Sequence, residues 1–129
     1  MPPADRGSAA LDYAQKHRDE HLEILLDYVA RPSISTQNIG IVECAEHSAT
    51  LLASAGCAVW VIESGGNPVV IGAMVAEPDA PTVLLYGHYD VQPPEPIEAW
   101  ISPAFEPEVR DGRVFGRGVA DNKGQHLAH

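Results

Sequence analysis

The sequence predicts an α/β fold, with a mixed and mostly parallel sheet flanked by helices. Three observations carry that expectation. The first third reads as amphipathic helix, several short β-rich segments follow between residues 58 and 86, and polar motifs sit at the end of the last of these. The carboxyl edge of a sheet strand is where open α/β sheets carry their ligands.

From Ala9 to Ala30, Leu11, Ala14, Leu22, Leu25, Leu26 and Val29 recur at three- and four-residue spacing. That period predicts one amphipathic helix, which Arg31-Pro32 ends. Ile41 to Ala55 predicts a second, with Ala45, Ala49, Leu52 and Ala53 on one side and Gly56 where a C′ glycine stops a helix. Ala58 to Glu63 reads as a strand, Ser64 to Pro68 as a turn and Val69 to Ala76 as another strand, together a hairpin. The Glu77-Pro78-Asp79-Ala80-Pro81 break precedes a further strand, Thr82 to Tyr86. From Asn122 to His129 a helix starts, with no closing glycine, proline or polar cap. The chain shows no internal repeat, coiled-coil heptad or low-complexity tract.

A length of 129 residues allows a single domain. The net charge of −10 is spread along the chain and argues against nucleic-acid binding, which needs a basic face. Cys44 and Cys57 are too few for a disulfide framework or a thiolate zinc site and read as small buried hydrophobes. With no apolar leader in Met1 to Ala10, they predict a reducing cytoplasm, with neither signal peptide nor membrane span.

The chemistry concentrates in two motifs. Leu84-Leu85-Tyr86-Gly87-His88-Tyr89-Asp90-Val91-Gln92-Pro93 runs an apolar strand into a turn presenting a histidine and a carboxylate two residues apart. Side chains at i and i+2 of a strand share a face, and imidazole nitrogen and carboxylate oxygen are both good zinc ligands. A ligating histidine usually gives its other N–H to a carboxylate that fixes its tautomer, so His88 is expected to be a ligand and Asp90 its orienter. Gly116-Arg117-Gly118-Val119-Ala120-Asp121-Asn122-Lys123-Gly124 brings a second carboxylate to a helix start. Asp121 suits a bridge between two metals about 3.5–4 Å apart.

Blander readings stand beside these. An isolated His-x-Asp at a strand end is more often solvated loop, and Asp121 could be an N-cap; it is the pairing of the two motifs that favours a metal site. His17 and His21 lack the glutamate placement of a helical zinc motif and read as a solvated helix face. Arg117 has no phosphate-loop spacing around it. Glu95, Glu98, Glu106 and Glu108 read as a soluble loop. His47, His126 and His129 lack sequence partners, although His126 lies close to the second motif.

Residues from about Thr82 to His129 resemble the metal-binding region of the zinc-dependent dipeptidase, aminoacylase, deacetylornithinase and desuccinylase family of co-catalytic metallopeptidases. Trp100, Ser102-Pro103-Ala104-Phe105 and Asp111-Gly112-Arg113-Val114-Phe115 resemble the stretch between its first two metal-site motifs. Tyr89, Gln92-Pro93-Pro94 and Lys123-Gly124-Gln125 lean toward the carnosinase-like dipeptidase branch.

The resemblance implies that His88 ligates one zinc, that Asp90 orients His88, and that Asp121 bridges two zincs, with manganese or cobalt as possible substitutes. It also implies a cis peptide after Asp121. Asn122 departs from the acidic residue or methionine of many relatives. The family's general-base glutamate and further ligands lie downstream of these motifs. Residues 1–129 are therefore expected to be the N-terminal portion of a catalytic domain, whose remainder and dimerisation domain lie outside this sequence.

The implied chemistry is hydrolysis of an amide in a dipeptide by a water activated by two zincs. An N-acyl amino acid is the alternative substrate, and a non-catalytic truncated module the reading from another class. Besides a small peptide or N-acyl amino acid, the implied partner is a second copy of the full-length protein, as a homodimer. Apolar sheet and helix faces left uncovered predict aggregation.

Overall fold

The computed structural model describes residues 6–75 and 77–129. Ala76, the expected end of the second strand, and half of the Met1 to Ala10 stretch lie outside the described residues.

The expected single helix over Ala9–Ala30 is two. Helix α1 spans Arg6–Lys16 and α2 spans Arg18–Ala30, parted at His17 with φ −102° and ψ 16°. The i→i−4 pattern runs on through the junction, His17 N–H donating to Tyr13 O at 3.0 Å and His21 N–H to His17 O at 2.9 Å, so hydrophobic periodicity does not register the break. The halves also differ in surroundings: Leu11 and Tyr13 of α1 are exposed, whereas α2 buries Tyr28 and Val29. Of the two histidines expected on a solvated face, His21 is exposed, whereas His17 is half-buried, stacked on Tyr13 and bonded to Glu20 at 2.9 Å.

Helix α3, Ile41–Ser54, stops where the sequence predicts, with Gly56 at φ +91°. It buries Ile41, Cys44 and Ala45 and packs on the hairpin of β1, Ala58–Ile62, and β2, Val69–Ala73. These strands pair antiparallel, Ala58 opposite Ala73 and Ile62 opposite Val69.

Thr82–Tyr86, expected as a strand, has no ladder among the described residues. Its composition suits a strand, but ladder bonds come from a neighbour, and here Val83, Leu84, Leu85 and Tyr86 are left exposed. A second hairpin, β3 Glu108–Arg110 with β4 Arg113–Phe115, escaped the sequence reading although Asp-Gly is a strong hairpin signal. Asp111 at φ +49° and Gly112 at φ +73° supply the two positive φ values that a two-residue type I′ turn requires. Helix α4, Lys123–Leu127, packs on α2.

Helices and small sheets are thus mixed along the chain, in keeping with the α/β class. The described strands pair antiparallel, and parallel pairing is confined to one bridge between Ile34 and Val91. Tyr28, Val29, Ile34, Ile41, Cys44, Ala45, Val91 and Ala104 form the buried apolar set. Both cysteines are free, Cys44 buried and Cys57 half-buried. Among the described residues no helix is long and apolar enough to cross a membrane.

Candidate metal centre

The first motif follows residue 86 without regular secondary structure and is fixed by the short connection after α2. Ser33 Oγ donates to Tyr89 O at 2.6 Å, Val91 N–H donates to Ser33 O at 2.8 Å, and Ile34 bridges Val91. Ser35 Oγ donates to Asp90 Oδ2 at 2.7 Å. Residues 33–35 therefore hold both the backbone and the carboxylate of this motif. Tyr89 donates its O–H to Pro68 O at 2.7 Å, and burial pushes its phenol above the usual range.

The second motif is held by the segment between the two. Arg117 N–H donates to Ala104 O at 2.7 Å and Arg117 Nη2 to Pro93 O at 3.0 Å. The same guanidinium lies 5.2 Å from the Trp100 ring, whose Nε1 donates to Pro94 O at 2.7 Å. At Gly118, φ is +92° and an added Cβ would lie 2.8 Å from Val91 Cγ1, so the loop closes onto the first motif only without a side chain there. The peptide between Asp121 and Asn122 is cis, as the family resemblance implies.

His88, Asp90 and Asp121 come together. His88 Nδ1 lies 3.0 Å from Asp90 O and 3.2 Å from Asp90 Oδ1, while His88 Nε2 lies 3.0 Å from Asp121 Oδ1. With two acceptors at Nδ1, the ring proton belongs there. Nε2 then turns a lone pair toward a carboxylate oxygen, an arrangement that a cation between them reconciles. One nitrogen and one oxygen donor converge, and the second ring nitrogen meets a carboxylate, as is usual for a zinc-ligating histidine. On this ground the residues present fit zinc. They supply two donors: among the described residues no group of three or more His, Cys, Asp or Glu is placed to hold a metal. The side chain of Asp121 is 79% exposed and that of His88 36%, so the carboxylate stands open on one side.

Behind the pair lies a buried polar layer that the sequence did not reveal. Lys123 is fully buried and donates Nζ–H to Arg31 O at 2.6 Å and Tyr28 O at 3.2 Å, placing a cation at the carboxyl end of α2, where the helix dipole favours one. Burial lowers its pKa from the usual lysine value. Tyr28 Oη sits 2.7 Å from Ser48 Oγ and 2.9 Å from His126 Nε2, and burial raises its phenol pKa well above the ordinary value. Burial, with His88 and Lys123 nearby, pulls the His126 imidazole below its usual range. Of this layer, only the nearness of His126 to the second motif was readable. Lys123 and Tyr28 gave no signal, since lysine is seldom fully buried and a tyrosine in a helical stripe reads as core. Ser33 and Ser35 could have been found from the alternation of Ser33-Ile34-Ser35 after Pro32, a polar-apolar-polar pattern of extended chain.

Residues 84–129 match the family model described as peptidase family M20/M25/M40. The chain is 30% identical over 132 residues to the Beta-Ala-His dipeptidase of Mus musculus, covering 90% of this chain and 27% of that protein. It is 36% identical over 118 residues to the succinyl-diaminopimelate desuccinylase of Xanthomonas oryzae pv. oryzae, covering 83% and 27%. Among solved structures it is similar to human carnosine dipeptidase 1, with a TM-score of 0.84 and 30% identity over 91% of this chain and 28% of that one. It is also similar to an M20 family metallo-carboxypeptidase from Sulfolobus solfataricus, with a TM-score of 0.79 and 34% identity over 84% and 25%. The chain thus spans about a quarter of the length of these relatives. Both motifs lie inside the matched segment and the described fold superposes on these two solved structures, so the chain is a homologue of the M20/M25/M40 peptidases.

Proposed function

We propose that this chain forms part of a metal-dependent hydrolase that cleaves the amide bond of a dipeptide. The observation that carries the reading is the convergence of His88 Nε2 and Asp121 Oδ1 at 3.0 Å, with Asp90 on the far ring nitrogen. His88 and Asp121 would hold zinc, Asp121 as the bridge between two ions, with manganese or cobalt as alternatives. When bound, a zinc pair supplies Lewis acidity toward a carbonyl and lowers the pKa of a water.

The chain's own residues have separable tasks. Asp90 keeps the proton of His88 on Nδ1 and so keeps Nε2 available as a donor. Ser35 keeps the Asp90 carboxylate turned toward His88. Exposure of Asp121 leaves room for a second ion and a substrate on its open side. Because a catalytic zinc usually has three protein ligands, the proposal assigns the remaining ligands and the general base to sequence outside residues 1–129. A homodimer built through a further domain belongs to the same proposal.

A second reading keeps the centre and changes the substrate to an N-acyl amino acid, favoured by the desuccinylase relatives at 36% identity. The experiment is a substrate panel on the full-length protein, with zinc supplied. Cleavage of Xaa-Xaa dipeptides, lost in His88→Ala, supports the first reading. Cleavage of N-succinyl or N-acetyl amino acids alone replaces it with the second. No amide hydrolysis in any metal would sink both.

A further inference from the structure

We propose that Asn122 is a positioning residue for His88, its side-chain oxygen holding the backbone of the ligand loop and being held in turn by a hydrogen-bond relay through His126 and Tyr28. The inference rests on the reading of His88 as a metal ligand. It concerns a side chain that ligates nothing in that reading.

Asn122 Oδ1 accepts the His88 backbone N–H at 3.2 Å, tying together two loops 34 positions apart in sequence. The same oxygen lies 3.2 Å from His126 Nδ1. A carbonyl oxygen can only accept, so both partners must donate and His126 carries its proton on Nδ1. His126 Nε2 is then an acceptor, and Tyr28 Oη at 2.9 Å is its donor. Having given its proton to His126, Tyr28 Oη can accept one from Ser48 Oγ, 2.7 Å away. Ser48 Oγ has Cys44 O at 2.8 Å as its other acceptor, so its one proton serves either Tyr28 or Cys44. One set of protons satisfies the run from Tyr28 to His88, and it fixes both the orientation of the Asn122 amide and the tautomer of His126.

Steric fit points the same way. A Cβ on Gly87 would run into the His126 side chain and lie 2.9 Å from Asn122 Oδ1. The Gly87-His88 peptide is therefore seated directly against the Asn122–His126 pair, and its N–H is tied to the second motif through the Asn122 oxygen. Asp121 positions a ligand oxygen in front of His88, while the next residue along fixes His88 from behind.

The test uses zinc alone as probe and the chain as it stands, with affinity read by competition against a chromophoric chelator. Asn122→Leu is expected to weaken zinc binding about tenfold, in line with the loss of outer partners at metal sites. It should also free the His88 amide to exchange with solvent. Asn122→Asp, which keeps an acceptor oxygen, should stay within a fewfold of wild type. Nitrogen-15 spectra should show His126 protonated at Nδ1 in the wild type and a mixed tautomer in Tyr28→Phe, which keeps the ring and removes the donor.

Zinc affinity and His88 amide protection both unchanged in Asn122→Leu would overturn the proposal, as would Asn122→Asp behaving like Asn122→Leu. Should Asn122→Leu fail to fold, Tyr28→Phe carries the decision: an unchanged His126 tautomer removes the relay. Zinc binding undiminished in His88→Ala would instead sink the ligand reading, while the amide-protection result would still report on the role of Asn122.

Discussion

Ser35 Oγ donates to Asp90 Oδ2 at 2.7 Å across 55 positions of sequence, and Asp90 in turn presents Oδ1 to His88 Nδ1 at 3.2 Å. A serine after α2 thus sets the angle of a carboxylate that sets the tautomer of His88. Outer partners of ligating histidines typically contribute 10–100-fold in metal affinity. Asp90→Ala is expected to weaken zinc binding within that range, and Ser35→Ala to weaken it less and in the same direction. Chelator competition on both variants checks the order. A Ser35→Ala loss larger than that of Asp90→Ala would contradict it.

The ligands themselves should behave differently from their supports. His88→Ala and Asp121→Ala each remove one of two converging donors and are expected to abolish measurable zinc uptake. Because both side chains are partly open to solvent, unfolding midpoints should stay close to wild type without metal. Isothermal titration beside metal-free denaturation separates the two effects.

Lys123 should matter to stability instead. Replacing it with methionine leaves Arg31 O and Tyr28 O without this donor inside the protein, and a buried polar group left unpaired costs about 1–3 kcal/mol. Lys123→Met is therefore expected to destabilise the fold by an amount in that range. Lys123→Ala should cost more, because a void is added. Urea denaturation of both variants reads the difference.

His47 predicts a pH dependence. Burial is the main cause of its lowered pKa, with the Arg31 and Lys123 charges acting in the same sense against the opposing pull of Asp27. Its Nε2 lies 3.3 Å from Asp27 Oδ2 but makes no hydrogen bond. A histidine with a lowered folded-state pKa is protonated first in the unfolded chain. Its contribution is therefore present above the ordinary histidine value of about 6.5 and is lost as pH falls from there through the folded value. Denaturation midpoints at pH 7.5 and 5.5 should fall less in His47→Gln than in wild type; an equal fall would discount His47 as a cause.

Val83, Leu84, Leu85 and Tyr86 give the fifth expectation. They form an exposed apolar run with strand-like composition and no ladder among the described residues, a pattern that invites edge pairing with another chain. The 129-residue chain should self-associate with rising concentration, and Leu84→Lys should shift it toward monomer in light scattering. Concentration-independent mass in the wild type would rule this out.

What the sequence disclosed was the part governed by short-range rules. Helix α3, its glycine stop and the Ala58–Ala73 hairpin follow from period and turn chemistry, and the structure places them within a residue or two at most ends. His88, Asp90 and Asp121 were visible because metal chemistry restricts which residue types can serve, and the structure draws them together. The interruption at His17 was hidden because backbone bonding bridges it, and the lone extended run at 82–86 because strand composition does not supply a neighbour. Lys123 and Tyr28 were illegible for a further reason: each acts on a residue more than 90 positions away, and nothing local marks the partner.

Both halves of the centre take their bearings from the same few residues. Ser33, Ile34 and Ser35 hold the His88 loop, while Tyr28 and Arg31 hold Lys123 and His126 behind Asp121. Residues 28–35 therefore work as a common datum, and a small rotation or slide of this segment would carry His88 and Asp121 along together with their mutual spacing kept. The tolerance of the chain to length change should be uneven as a result. A residue inserted in the exposed turn at 64–67 leaves that datum untouched, whereas one inserted between Arg31 and Ser35 would separate the two mountings and pull the donors out of register.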